Sequence, residues 1–223
     1  VIRLYRKTLI IISVLAVLLF FFFSCASQQR VANQYYILEY LPHLASNDLI
    51  REKPYNQSVH ILDTDIPRTY SRSQIIQKGM GPQFKYLSGD LWGIELSETI
   101  AGLLFESARR YRMFTRVTQE YREEEADYRI SSNLNKIEYA VYEENQQAIV
   151  DIDFSLLEVE TDKIVIHHAA LRREPIYERK VGRFVERSNE IIMEEINAFY
   201  KKVETYFETG ETSLSYTREQ LDD

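Results

Sequence analysis

Two hydrophobic periods organise this chain. Tyr128, Ile130, Ser132 and Leu134 alternate onto one side, and 137–142 continues as strand with room for a bulge between the two stretches. Ala148, Val150, Ile152, Phe154 and Leu156 then alternate with Asp151, Asp153 and Ser155, which predicts an amphipathic strand with one wet face. Residues 143–147 turn the chain between these strands, and Thr161-Asp162 turns it again ahead of a strand over 164–171. Earlier strands are predicted at 35–40, at 59–66 (stopped by Pro67), and at 113–117. Segments 73–77 and 84–87 flank Gly79-Met80-Gly81-Pro82, which has the turn chemistry of a hairpin with a loose loop. Residues 41–57, with Pro42 and Pro54, read as a connecting loop.

The second period is helical. Ile100, Leu103, Leu104, Ala108 and Tyr111 keep one face after Ser97, an N-cap candidate, and Glu98, which suits the positive end of a helix dipole. A longer helix is predicted over 182–207, where Phe184, Val185, Ser188, Ile191, Ile192, Glu195, Ile196, Phe199, Val203 and Phe207 largely follow the i, i+3, i+4 rule. The resulting fold class is α+β: a mostly antiparallel (mixed) β-sheet packed against two amphipathic helices, after an N-terminal signal segment.

That segment breaks both periods. Arg3, Arg6 and Lys7 precede a 16-residue apolar stretch, 8–23. As a helix it would span about 24 Å, short of the ~30 Å hydrocarbon core, and basic residues before a short apolar run mark an export signal. Ser24-Cys25-Ala26-Ser27 follows, and Cys25 is the only cysteine in the chain. The arrangement resembles a bacterial lipobox: Ser24 is the small residue before the cysteine, although Phe22 and Phe23 replace the usual Leu and small residue. Cys25 is therefore the expected attachment point of a diacylglyceryl and N-acyl lipid, which anchors stably because several acyl chains act together. An uncleaved anchor helix with an incidental cysteine is the alternative. Ala26 in place of Asp favours the outer over the inner membrane by resemblance to lipoprotein sorting rules.

Boundaries follow from these transitions: a lipoprotein signal peptide at 1–24, a lipidated tether at 25–33, a single α+β domain at 34–207 and a polar, acidic tail at 208–223, read as mobile. Charge sharpens the division. The chain of 223 residues carries a formal charge of −7, yet without 1–24 it keeps 24 Lys and Arg against 34 Asp and Glu, a charge of −10. Such a body argues against nucleic acid and against anionic lipid headgroups as broad electrostatic partners, without excluding a local basic patch. It also keeps 15 Tyr and seven Phe beside Trp92. The tyrosines read first as half-buried sheet packing with hydroxyls reaching water, and second as contacts for a protein partner, a subunit interface or a lipid-lined groove.

Candidate chemistry is thin. Asp63/Asp65 and Asp151/Asp153 each place two carboxylates on one side of a strand, but the second pair alternates with a core-facing set as solvent-facing residues do. His167 and His168 are adjacent, so a strand points them apart; His43 and His60 lack partners at zinc-like spacing. The acidic run Glu123-Glu124-Glu125 reads as a solvated turn. Gly-rich phosphate loops, G-x-S-x-G and H-E-x-x-H are missing, so no catalytic residue, metal ligand or cofactor site is predicted.

After the lipobox, Tyr36-Ile37-Leu38, the strand near 59–65 and Arg72-Ser73-Gln74-Ile75-Ile76 resemble the ABC-type transport auxiliary lipoproteins, the paraquat-inducible protein C type in particular. The likeness continues through Phe84-Lys85-Tyr86, Asp90-Leu91-Trp92 and Ala126-Asp127-Tyr128-Arg129-Ile130, and spans about 20–205. Ser73 departs from a common Pro, and the acidic tail is longer. The resemblance implies a non-catalytic, envelope-located, periplasm-facing component that accompanies an ABC permease and an MCE-domain subunit in moving lipids or other hydrophobic molecules. It also implies a homo-oligomer, such as a ring, as one form of docking, with strand edges and Tyr-rich faces as contact surfaces. An interaction module for outer-membrane or cell-wall assembly, and less so a periplasmic hydrolase, are the alternatives.

Overall fold

The computed structural model describes residues 32–119, 126–143, 145–214 and 216–218. Its centre is the run of alternation noted above. Strands β6 (Tyr128–Tyr142), β7 (Asn145–Glu158) and β8 (Lys163–Pro175) form a long antiparallel meander. The register of β6 against β7 shifts between Leu134 and Lys136, the bulge that the broken alternation predicts.

The other edge of β6 carries two parallel partners in tandem. Strand β2 (Tyr55–Ile61) pairs with its first turn of residues, Val59 opposite Tyr128, and β3 (Gln74–Lys78) pairs near its far end, Gln77 opposite Tyr139. The bulge lies between these junctions, so the sheet forks there. One branch continues to β5 (Phe114–Thr118). The other runs through β4 (Phe84–Trp92), antiparallel to β3 as the hairpin pattern predicts, to the edge strand β1 (Gln34–Tyr36). Among the described residues nine strands make one open mixed sheet, in which the long ladders of the meander are antiparallel and β2, β3, β1 and β9 each add a short parallel pairing.

Helices α1 (Leu96–Arg110) and α2 (Val181–Thr209) supply the cover: α2 lies across β7 and β8, and α1 lies against β2, β5 and α2. Ile100, Leu104 and Ala108 of α1 and Ile192, Ile196 and Phe199 of α2 are buried against Ile130, Val150, Ile152 and Phe154 of the sheet. This is the α+β architecture that the two periods dictate. Ser97 does not cap α1. The helix starts earlier, after Glu95, because burying Leu96 brings that residue into the first turn, and Ser97 instead accepts the Thr64 amide through its carbonyl. At the other end α2 closes on Gly210, whose φ of 76° is open to glycine at little steric cost. Beyond it, Ser213 bridges to Ile166 and β9 (Tyr216–Arg218) pairs with β8, so part of the 208–223 stretch adds to the sheet.

Several tyrosines pack as expected, but their hydroxyls meet protein acceptors instead of water. Tyr111 and Tyr200 are fully buried, their rings 6.0 Å apart, and their hydroxyls donate to the Asn197 side chain and the Leu104 carbonyl. Tyr70 donates to Glu138 at 2.6 Å and Tyr139 to Gln146. Burial pushes the Tyr111 hydroxyl up to about 12, the expected direction for an acid whose charged form would lose water.

Candidate interaction surface

Nothing in the described structure gathers the polar candidates into a reaction centre. Asp151 and Asp153 sit on the face of β7 away from the helices, where Asn133 donates to Asp153 at 2.6 Å and Asn135 to Asp153 at 3.0 Å. Asp63 and Asp65 are exposed, and the Asp65 backbone bridges β6 at Asn133 while buried Thr64 reaches Ser132 at 2.7 Å. His167 faces Ser155 at 3.0 Å on one face of the sheet and His168 faces Glu195 of α2 on the other, so the two rings do diverge. His60 lies beside Thr118, and burial lowers its pKa. Among the described residues no three His, Cys, Asp or Glu side chains cluster as metal ligands would, and no helix is long and apolar enough to cross a membrane. Cys25 and the acidic run 123–125 lie outside the described residues.

The motifs quoted for the resemblance have structural jobs instead. Asp127 starts the central strand by accepting the Ser58 amide at 2.6 Å and the Ser58 hydroxyl at 2.8 Å, while its own amide meets the same hydroxyl at 3.1 Å. This reciprocal clasp locks β2 to the start of β6, and the two Ser58 donors hold the Asp127 carboxyl below the usual range. Only the long-range pairing reveals it; Asp ahead of a strand carries no local signature of the partner. Asp127→Ala should destabilise the domain by about 1–3 kcal/mol, since it strands the Ser58 amide. A urea midpoint equal to that of the parent would refute the clasp.

Trp92 is buried against Phe184 of α2, with ring centroids 6.2 Å apart, and its amide donates to the Ser73 carbonyl at 2.6 Å. Arg72 stacks over Tyr86 at 4.8 Å. Asp90 accepts the Tyr36 hydroxyl at 2.9 Å, and burial together with this bond pushes the Tyr36 pKa up to about 12. The Tyr36–Asp90 bond fastens the edge strand β1 to β4, and Trp92 fastens β4 to the start of α2.

The surface beside β1 differs from the rest. Tyr36 points inward towards Gly182, and its strand neighbour Tyr35 points out, 66% exposed. Ile37 and Ile94 are about half exposed next to it. Gly93 permits this contact: a Cβ there would come within 3.3 Å of the Ile37 side chain and 3.6 Å of the Tyr35 Cβ. Around the same end, the β8–α2 loop presents Tyr177, 93% exposed. One hollow beside Tyr177 and a second beside Gln34 and Tyr36 share Glu178, Arg183 and Glu186, so the loop and β1 form a continuous surface. Exposed aromatic and aliphatic side chains concentrated at a strand edge suit contact with a partner, not catalysis.

Comparison with known proteins decides the family. The model of the ABC-type transport auxiliary lipoprotein component family matches residues 42–193. The chain belongs to that family. No curated protein matches it. Among solved structures, a Xanthomonas campestris protein of the DUF330 family aligns with a TM-score of 0.64 at 9% identity, over 79% of this chain and 99% of its own. An uncharacterised protein aligns with a TM-score of 0.59 at 8% identity, over 77% of this chain and 99% of its own. Both show the same fold. The family match spans α1, the meander and the first half of α2, and with it the Asp127 clasp and Trp92. No cofactor is expected of an auxiliary transport component, and the family places the protein in the cell envelope as a partner within a transport system.

Proposed function

We propose that this protein is a lipid-anchored, periplasm-facing and non-catalytic subunit of an ABC transport system that moves lipids or other hydrophobic molecules, and that it docks an MCE-domain subunit of that system. The observation that carries the reading is the family match over the folded domain, joined to a surface built for contact: open strand edges with exposed aromatic residues. Cys25 is the proposed lipid attachment site, 1–24 the removed signal, and the outer membrane the proposed location. Energy for transport then comes from a separate ATPase, and this domain supplies position.

Mass spectrometry of the mature amino terminus tests the anchor. The expected species begins at Cys25 with acyl chains, and Cys25→Ser leaves the chain without them, shifts it out of the detergent-extracted membrane fraction and removes transport as completely as deletion does. A wild-type chain that retains Val1 and a free Cys25 thiol contradicts the reading.

A further inference from the structure

We propose that Ser213 and β9 form a strap that guards the outer edge of β8, and that its release lets two copies of this chain pair along β8. Neither lipidation nor a transport partner enters, and the strap lies beyond residue 193, where the family match ends.

The edge itself is the first observation. Residues 164–171 read Ile-Val-Ile-His-His-Ala-Ala-Leu, with no Asp, Glu, Lys, Arg, Pro or Gly. Such a run on an open edge is a template for a second chain, and folded proteins blunt it with charge, proline or brevity. The other edges of this sheet are blunted in that way: β1 has three residues, and β5 carries Arg116 at its centre. Farther along β8 itself, Arg172, Arg173, Glu174 and Pro175 do the same. Over 164–171 none of these devices is present, and the strap lies there instead.

The seat of the strap is the second observation. Ser213 stands opposite Ile166 and Tyr216 opposite Ala169, so the strap keeps one parallel register along the run. The Ser213 amide donates to the Val165 carbonyl at 3.2 Å, and the His167 amide donates to the Ser213 carbonyl at 2.7 Å. Three residues of ladder and one bridge make a small attachment. Helix α2 does not depend on it, since the left-handed turn at Gly210 closes that helix, its amide donating to the Tyr206 carbonyl at 2.8 Å. Glu211 and Thr212, which follow, are exposed. The strap is therefore free to swing at this junction with the domain intact, the kind of local opening that short, weakly packed segments undergo.

A second copy fits the opened edge because the run is its own complement. Two copies related by a two-fold axis set 164–171 antiparallel, with edge amides meeting edge carbonyls and no like charges opposed within the run. Ile164, 48% exposed at the start of the run, is apolar surface that such a partner would cover.

The test uses the full chain in mild detergent. In the dilute parent the His167 amide should exchange with deuterium slowly, because Ser213 accepts from it. Ser213→Pro with Thr217→Pro removes two amides from the strap. This variant should keep the near-ultraviolet circular dichroism of the parent, and at low concentration its His167 amide should exchange roughly tenfold faster. Sedimentation velocity across a dilution series should show self-association at least about tenfold tighter than in the parent, since neither copy has to open first. His167 protection should return as dimers form. Adding Ala169→Lys, opposite Asp153 of β7, should put a charge on the edge and restore the monomer with the strap still open. A His167 amide that exchanges freely in the monomeric parent overturns the strap, whether or not the variant folds. An opened variant that stays monomeric, or self-association that Ala169→Lys leaves unchanged, overturns the pairing along β8.

Discussion

Glu195→Ala should cost the domain about 3–5 kcal/mol, a fall of roughly 10 °C in thermal midpoint for a domain of this size. Glu195 projects from α2 into the seam with β8, where it is nearly buried. One carboxylate oxygen meets His168 Nε2 at 2.7 Å and the other accepts from Arg172 at 2.7 Å. Arg172 also reaches Glu174 at 2.7 Å and Glu194 at 3.2 Å, so the carboxylate anchors a network that ties the long helix to the last long strand. Deleting it leaves a buried imidazole and part of a guanidinium without their acceptor, which is the expensive way to break a buried pair. Replacing both partners, as in His168→Phe with Glu195→Leu, should recover most of the loss, because Arg172 keeps two other carboxylates and no orphaned group remains.

The network sets an acid dependence whose sign is fixed. Burial pushes the Glu195 carboxyl up, but the hydrogen bonds and charges of His168 and Arg172 outweigh it and leave the pKa below the ordinary 4.5. Glu174 is lowered in the same way by Arg172 and Arg187. A carboxyl with a depressed folded pKa contributes its full stability above the unfolded value and loses it as pH falls through the folded one. Stability should therefore hold from neutral pH down to about 5 and decline below about 4.5, with the decline smaller in Glu195→Ala. Equal acid sensitivity in parent and variant would argue against this assignment.

Phe154→Ala is the second large effect, about 3–5 kcal/mol. Phe154 is fully buried in the middle strand of the meander, with neighbours paired on both sides. Its ring lies 5.5 Å from Phe199 of α2 and stacks at 7° to the His168 ring, 6.3 Å away. Neither wall can collapse into the space: His168 is held by Glu195, and Phe199 sits on a helix packed along its length. A persistent cavity keeps the penalty at the upper end. Because His168 touches both residues, Phe154→Ala and Glu195→Ala should not add, with a coupling of about 0.5–3 kcal/mol in a double-mutant cycle. Independent effects in that cycle would show that the seam is not one unit.

How far the sequence foretold the molecule depends on the range of each interaction. The meander was legible because each of its strands is long and amphipathic, and even the bulge followed from the slip in alternation between Leu134 and Ile137. Both helices followed from their apolar stripes. The fork was not legible. Strands β2 and β3 reach β6 as parallel neighbours, and parallel pairing is fixed by distant chain crossings that leave no mark on local spacing. Strand β9 was missed for a related reason: three residues of polar sequence become a strand only because β8 offers a free edge. Of the chemistry, the divergence of His167 and His168 was read correctly from strand geometry. The pairing of His168 with Glu195 was invisible because it joins a strand to a helix 27 residues away, although Glu195 falls on the helix's buried stripe. The surface around Tyr35 and Tyr177 was equally hidden, since the abundance of tyrosine says nothing about which of them escape the core.

The most direct test of the proposed role is association. The full chain, tagged after Asp223 and extracted from its own membranes in mild detergent, is purified and its companions are identified by mass spectrometry. The account predicts an MCE-domain subunit in fixed ratio with this protein. A chain that emerges alone as a monomer under conditions that keep the permease complex intact would contradict it.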